Sequence, residues 1–527
     1  MKTNNFSLAL QLFTFFFAIY VLTSSFISMS LFDVSIMRLE VAKSIFERFD
    51  LDVPAGKGVV GIDGRDYSWF GIGSVLLSFP LYALAKIASI HPVVLLGILN
   101  PLFSAATAVL VCFFCISAGY SRKASAFTSF LYGLCTMAWY YSKDPGDHSF
   151  ETFLILFATF SMYRFTISKK ISRILLSGLA LGVASLIRPT SFLFVFPLML
   201  MLTASSVKER GFSQSYKVIA RGAVTLFFCL LPFLSLFLWY NSYRFGSVFE
   251  SGYSLIANRA GVKLFSDTSF GTGLLGLLVS PGKGFFFYSP IALLFFVCFK
   301  SFWRKHQELG ICFISTIIIY VLFFAKYLYW HGDWAWGPRF LFVLTPFLMI
   351  PIADFFESEL WIKSKSVRNA TTVLILISLL IQVISVSVFT YRYFWFIEAE
   401  KNVKFTVDKG PGAPPVKEPV TATYFDWKLS PILVQGETLC RIISDMKTAD
   451  KIDFSADKLS KNGLNELLNM NCLDFWWHYI YYLGGSWIIL LIVPLLLLIA
   501  IASAHKVYHN VSAFPDIVKN SPDLQKR

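Results

Sequence analysis

Apolar runs of about 18 to 25 residues recur from Leu8 almost to the C-terminal tail, and they limit what this chain can become. In lipid the backbone must satisfy its own hydrogen bonds, so runs of this length cross as helices. Candidate spans lie at 8–29, 92–118, 125–142, 150–167, 172–187, 190–205, 220–240, 285–300, 309–326, 338–355, 369–391 and 480–503. The fold class is therefore an all-α integral membrane protein, a polytopic bundle of about twelve helices. Hydrophobic residues make up 56% of the chain and aromatics 17%, which excludes a soluble globular protein. The first run exceeds the apolar core of a signal peptide, and no small-residue cleavage site precedes Asp33, so it is expected to stay as a span.

A formal net charge of +14 raises the question of nucleic acid. The positive residues instead cluster in short loops: Arg122/Lys123, Lys169/Lys170/Arg173, Lys208/Arg210/Lys217/Arg221, Arg304/Lys305, Lys363/Lys365/Arg368 and the tail from Lys506. Such loops set topology and mark the cytoplasmic side, so membrane lipids are expected as partners and nucleic acid is not. The stretch 71–90, with Pro80 in it, looks like a span, but counting it as one would split the basic loops between the two sides. It is read as a helix lying along or dipping into the outer surface.

The outer face, periplasmic or extracellular, then receives 30–91, 143–149, Arg188–Thr190, 241–284, 327–337 and about 393–478. The chain divides into a transmembrane module (1–395), an outer linker and small cap (396–478), and a last helix with a cytoplasmic tail (479–527). The cap is too short for an independent catalytic domain. Six cysteines fall in apolar runs, whereas Cys440 and Cys472 lie in the cap, where a disulfide between them is plausible.

Asp33 follows the first run within one helical turn, where it either caps the next helix with Ser35 or serves a function. Around it in the outer loops stand Arg38, Arg65, Asp147, His148, Arg188, Lys326, His331 and Arg339. Single cations at span ends, on the side with fewest positive charges, run against the topology rule, and an anionic ligand such as a lipid phosphate would favour them. Snorkelling or pairing with a nearby carboxylate is the plainer account. No cofactor is called for: SPGKG at 280–284 lacks the spacing and the hydroxyl of a phosphate loop, and HGD at 331–333 offers two ligands, short of a metal site. A carboxylate facing isolated cations suits group transfer from a lipid phosphate, the acid accepting the acceptor's proton and the cations stabilising the departing phosphate.

An aspartate directly after the first span, surface helices behind it, a polar second outer loop and a cation in a short later loop resemble the GT-C superfamily of membrane glycosyltransferases. The likeness is nearest to protein O-mannosyltransferases and the lipid A aminoarabinose transferase. It covers roughly 1–395 and includes GIDGRDYSWFGIGSVLLSFPLY (61–82), SPGKGFFFYSP (280–290) and WHGDWAWGPRFLFVLTPF (330–347). The resemblance implies an inverting transferase that takes a sugar from a polyprenyl phosphate to a lipid, glycan or protein acceptor at the outer face of a cell membrane, such as a bacterial inner membrane. Asp33 matches its general base, Arg188 and Lys326 match donor-phosphate contacts, and His148 stands where relatives often carry a second acid, with Asp147 beside it. Arg339 is taken as a further phosphate contact, Arg38 and Arg65 as supports. Val34 follows Asp33 where many relatives have a second carboxylate.

Two alternative readings are open to such a chain. A transporter or flippase expects inverted repeats and mid-span charges. A polysaccharide polymerase or O-antigen ligase expects a large outer loop rich in Arg and His, which 393–478 is not.

Overall fold

A computed structural model describes residues 2–25, 33–259, 261–265, 268–333, 335–400, 403, 406–407, 416–417, 422–445, 472–482 and 486–512. The chain is a predominantly helical, multi-pass membrane protein, the described strands being two-residue pairs. Among the described residues nine helices have the length and apolarity of a membrane span, from Asn5–Leu22 to Trp487–Ser512. Shorter apolar helices, Gly73–Ile87, Ile171–Ile187 and Phe270–Val279, stand beside them.

The difference from twelve has local causes. The expected span 125–142 breaks where Thr136 is extended, leaving Arg122–Cys135 and Ala138–Tyr141. The expected span 285–300 is interrupted before Pro290, and Ile171–Ile187 has 17 residues. Helix Gly73–Ile87, within the stretch read as a surface helix, has 15 residues. At 1.5 Å per residue it reaches about 22 Å, short of a hydrocarbon core of about 30 Å. It packs on Asp33–Arg48 and on the end of Ile171–Ile187.

Prolines shape the span ends that build the site. A proline drives the residue before it out of the α region. Arg188 is accordingly extended (φ −137°, ψ 118°), helix Ile171–Ile187 stops there, and Pro189–Phe194 restarts as a 3-10 turn leading into Val195–Arg210. Ser289 before Pro290 also leaves the helical region, and 3-10 turn Arg339–Leu344 follows Pro338. These corners hold Arg188 and Arg339 at span ends.

The first and last described helices meet. Helix Lys2–Leu22 packs along Ile492–Ser512, which buries Ala500, Ser503 and Val507. The final carbonyls of a helix lack partners within it. Here Trp476 Nε1 donates to Val21 O (2.9 Å) and Trp477 Nε1 to Leu22 O (3.0 Å). In the cap region, helix Pro431–Asp445 packs on Lys365–Ser387 and on Tyr391–Glu400, sharing a small core of Tyr393, Phe394, Ile397 and Val434. Cys440 is an exposed free thiol and Cys472 a buried one, so the two are not bonded to each other.

Candidate functional site

The site grows from the second loop, residues 142–147, which runs into helix His148–Ser168. Two elements hold this loop by its carbonyls, and its own lysine ties it to others. Arg38, from helix Asp33–Arg48, donates to Pro145 O at 2.6 Å. Asn100 donates to Gly146 O at 3.0 Å and also to Asp144 O. The Lys143 ammonium turns away to meet Val386 O (2.7 Å) and Asp474.

The loop then places its acids and His148 beside the arginines. Arg38 Nη1 is 3.4 Å from Asp147 Oδ1, both side chains buried. Burial raises the Asp147 carboxyl above the usual carboxylate range, while Arg38 and then Arg188 pull it down. Asp144 accepts from Gly146 N at 2.8 Å. Burial pushes its carboxyl up to about 6, against the pull of Arg339 and Arg188. Among the described residues Asp144 has no ion-pair partner, unlike Asp147, Glu151 and Asp333.

Arg188 meets His148 Nε2 at 3.1 Å through Nη2 and stands 3.4 Å from Glu151 Oε2 through Nε. An arginine can only donate, so Nε2 accepts and the His148 ring is neutral in this contact. Ser191 Oγ also donates to Glu151, at 3.0 Å.

Arg339 comes from the 3-10 turn Arg339–Leu344. Its Nη2 is 3.5 Å from Asp333 Oδ2, in the turn His331-Gly332-Asp333. Gly332 has φ 67°, and a Cβ there would come within 2.6 Å of Arg339 Cγ, so the arginine stem crosses a position that only glycine leaves open. His331 Nδ1 accepts from Asp333 N at 3.0 Å, and burial lowers its pKa to about 4. Lys283, from SPGKG, donates to Asp333 O (2.8 Å) and Ala335 O (2.6 Å); burial, then Arg339, brings its ammonium down to about 7.

Both guanidiniums lie against one aromatic ring. Phe340 has Arg188 at 5.7 Å and Arg339 at 4.9 Å from its centroid. Two like charges share this small volume, and the Nε–H groups of Arg38, Arg188 and Arg339 are buried without hydrogen-bond partners among the described residues. Unspent donors on crowded cations make a place for an anion. Tyr253 is also within electrostatic reach of Arg188, Asp147 and Arg339.

The structure thus brings together Arg38, Asp147, His148, Arg188 and Arg339, with His331 reaching the group through Asp333. Lys326 is set at the end of Gln307–Lys326, with its ammonium on Thr268 O at 3.0 Å. Arg65 pairs with Asp63 (2.7 Å) and Asp50 in the exposed part of the first loop. Helix Asp33–Arg48 begins at Asp33, but the Asp33 side chain lies outside the described residues. Among the described residues no three His, Cys, Asp or Glu side chains gather closely enough for a metal.

Asp144, Glu151 and Lys283 stand among the polar groups of the outer loops in the sequence but are not named as site residues there, and Asn100 is not singled out. Asn100 and Glu151 carried a signal, being polar groups at the mouths of apolar helices. The Lys283 link to the 333–335 backbone carried none, because it joins positions 50 and 52 residues apart.

Residues 79–236 match the model of the family described as dolichyl-phosphate-mannose-protein mannosyltransferase. The resemblance to membrane glycosyltransferases therefore holds over that part of the chain, which contains the second loop, His148, Arg188 and the helices between them. No curated protein matches the chain. Among solved structures it is similar to ArnT from Cupriavidus metallidurans bound to undecaprenyl phosphate: 12% identity, TM-score 0.47, covering 96% of this chain and 77% of that one. It is also similar to the oligosaccharyltransferase AglB from Archaeoglobus fulgidus in complex with an inhibitory peptide and a dolichol-phosphate, at 12% identity and TM-score 0.43. That match covers 66% of this chain and half (50%) of the other.

Proposed function

We propose that this protein is an inverting glycosyltransferase. It moves a sugar from a polyprenyl-phosphate donor to a lipid, glycan or protein acceptor at the periplasmic or exterior face of the membrane. The observation that carries the reading is the group Arg38, Arg188 and Arg339, two of its members against Phe340, with the buried Nε–H groups of Arg38 and Arg339 unspent. A lipid phosphate fits such a place because its oxygens take several charge-assisted hydrogen bonds at the depth where span ends meet headgroups.

The acceptor hydroxyl loses its proton to Asp33, and its oxygen attacks the anomeric carbon. The bond from that carbon to the phosphate oxygen breaks with inversion, and the arginines take up the charge on the departing phosphate. Lys326 extends the same phosphate-binding role. His148 and Asp147 sit where the acceptor enters, and Arg65 braces the first loop. The transport reading loses ground because these charges gather at helix ends and not in mid-span.

The test uses purified protein with synthetic polyprenyl-phosphate sugars. Wild type should release polyprenyl phosphate, and Asp33→Asn should abolish release while keeping a wild-type melting profile. Full turnover in that variant removes Asp33 from its role. No release by wild type across hexosyl and pentosyl donors overturns the reading.

A further inference from the structure

Far along the chain from this site, helix Ile492–Ser512 carries His505 and His509, one helical turn apart and both exposed. Their Nε2 atoms are 3.0 Å from each other. The helix seats Val507 inward against its neighbour, which leaves both imidazoles on the accessible side. Spacing of i and i+4 stacks two side chains on one face of a helix, an arrangement in which paired histidines hold a metal. As the pair stands, one ring must donate to the other; a cation bound by both lone pairs would replace that single shared proton.

The distance is compatible with two neighbouring ligand positions on one metal. With metal–nitrogen bonds of about 2.0 to 2.1 Å, two nitrogens 3.0 Å apart subtend about 95° at the metal. That is the angle between neighbouring ligands in a square-planar or tetragonal site, the geometry of Cu(II) and Ni(II). Tetrahedral zinc would need the nitrogens about 3.3 Å apart. No third His, Cys, Asp or Glu joins the pair among the described residues, so water would fill the remaining positions. Lys506 lies next in the chain to His505 and is exposed.

We propose that His505 and His509 form a bidentate site for a tetragonal divalent transition metal, Cu(II) or Ni(II), at the end of the last helix. It has no part in the transferase reading and stands or falls apart from it. The test is titration of the full-length protein, free of any polyhistidine tag, with CuCl₂ and separately ZnCl₂, followed by calorimetry and by electron paramagnetic resonance of the Cu(II) form. Expected are one tetragonal Cu(II) per chain with two nitrogen ligands, weaker zinc binding, and an affinity about a hundredfold lower in His505→Gln or His509→Gln, each of which loses the second, intramolecular ligand. Cu(II) binding unchanged in the His505→Gln/His509→Gln double variant overturns the proposal, as does zinc binding as tight as copper.

Discussion

The Lys143 ammonium and the Asp474 carboxylate, 331 residues apart, form an ion pair of 2.8 Å with both side chains only 4% exposed. Lys143 also donates to Asp474 O at 2.6 Å, and Tyr479 OH donates to the other carboxylate oxygen at 2.9 Å. This pair fastens the segment after the cap to the loop that presents Asp144, Asp147 and His148. Burial holds the Lys143 ammonium below its usual range, with Asp474 opposing.

Removing one partner of such a pair leaves an uncompensated buried charge, at a cost of about 3 to 5 kcal/mol. Asp474→Asn should therefore lower the melting temperature sharply in detergent. Asp474→Asn combined with Lys143→Met, which removes both charges, should recover part of that loss. A single variant as stable as wild type would show that the pair contributes nothing.

Arg188 offers a sharper test of the anion site. Arg188→Lys keeps the charge but not the planar fork that meets His148 and Glu151 together. If Arg188 stabilises the departing phosphate, the variant should lose about a hundredfold in kcat. An unchanged kcat with a raised KM would assign the residue to ground-state binding alone.

Asp144 predicts a pH effect with a definite sign. Its carboxyl is raised from 3.8 to about 6, so the protonated form is favoured by folding. Its contribution to stability is complete below pH 3.8 and lost as pH rises through 6. The loss is about 3 kcal/mol at 1.36 kcal/mol per pH unit. Thermal unfolding of wild type against Asp144→Asn between pH 4 and 7 should show wild type losing ground to the variant as pH rises. Parallel curves would mean that Asp144 is not perturbed.

Gly282 tests the docking of the cap. Its N–H donates to Tyr424 O at 2.9 Å, and a Cβ there would stand 2.5 Å from Tyr424 Cα. Gly282→Ala should push the segment around Tyr424 off the SPGKG loop, with a loss of about 1 to 3 kcal/mol. Limited proteolysis should then cut near 422–430 faster than in wild type. Equal cleavage rates would show that the contact yields without cost.

The membrane character and the nomination of Arg38, Asp147, His148, Arg188 and Arg339 were legible because burial in lipid is costly for polar groups, and each one that survives at a span end stands out. Helix breaks were less legible. Thr136 interrupts a run whose hydropathy is continuous, and only backbone geometry reveals it, whereas the break at Ser289 carries a local signal in Pro290. Pairings across the chain were not legible at all: nothing local to Lys143 points to Asp474, and nothing local to Lys283 points to the 333–335 carbonyls. Arg65 stood out by the same charge rule, yet neighbouring carboxylates account for its position.

The indole bonds from Trp476 and Trp477 to Val21 and Leu22 join residues 455 positions apart. At a synthesis rate of about 5 to 20 residues per second, roughly 20 to 90 s separate the emergence of the two partners. For all of that interval Leu22 O is left to water or lipid headgroups, while Ser24 meets Val21 O locally. Helix Lys2–Leu22 is thus completed only by residues made 455 positions later, and a ribosome stalled before them would leave most of the described helices inserted with the carbonyl end of this one still unsealed.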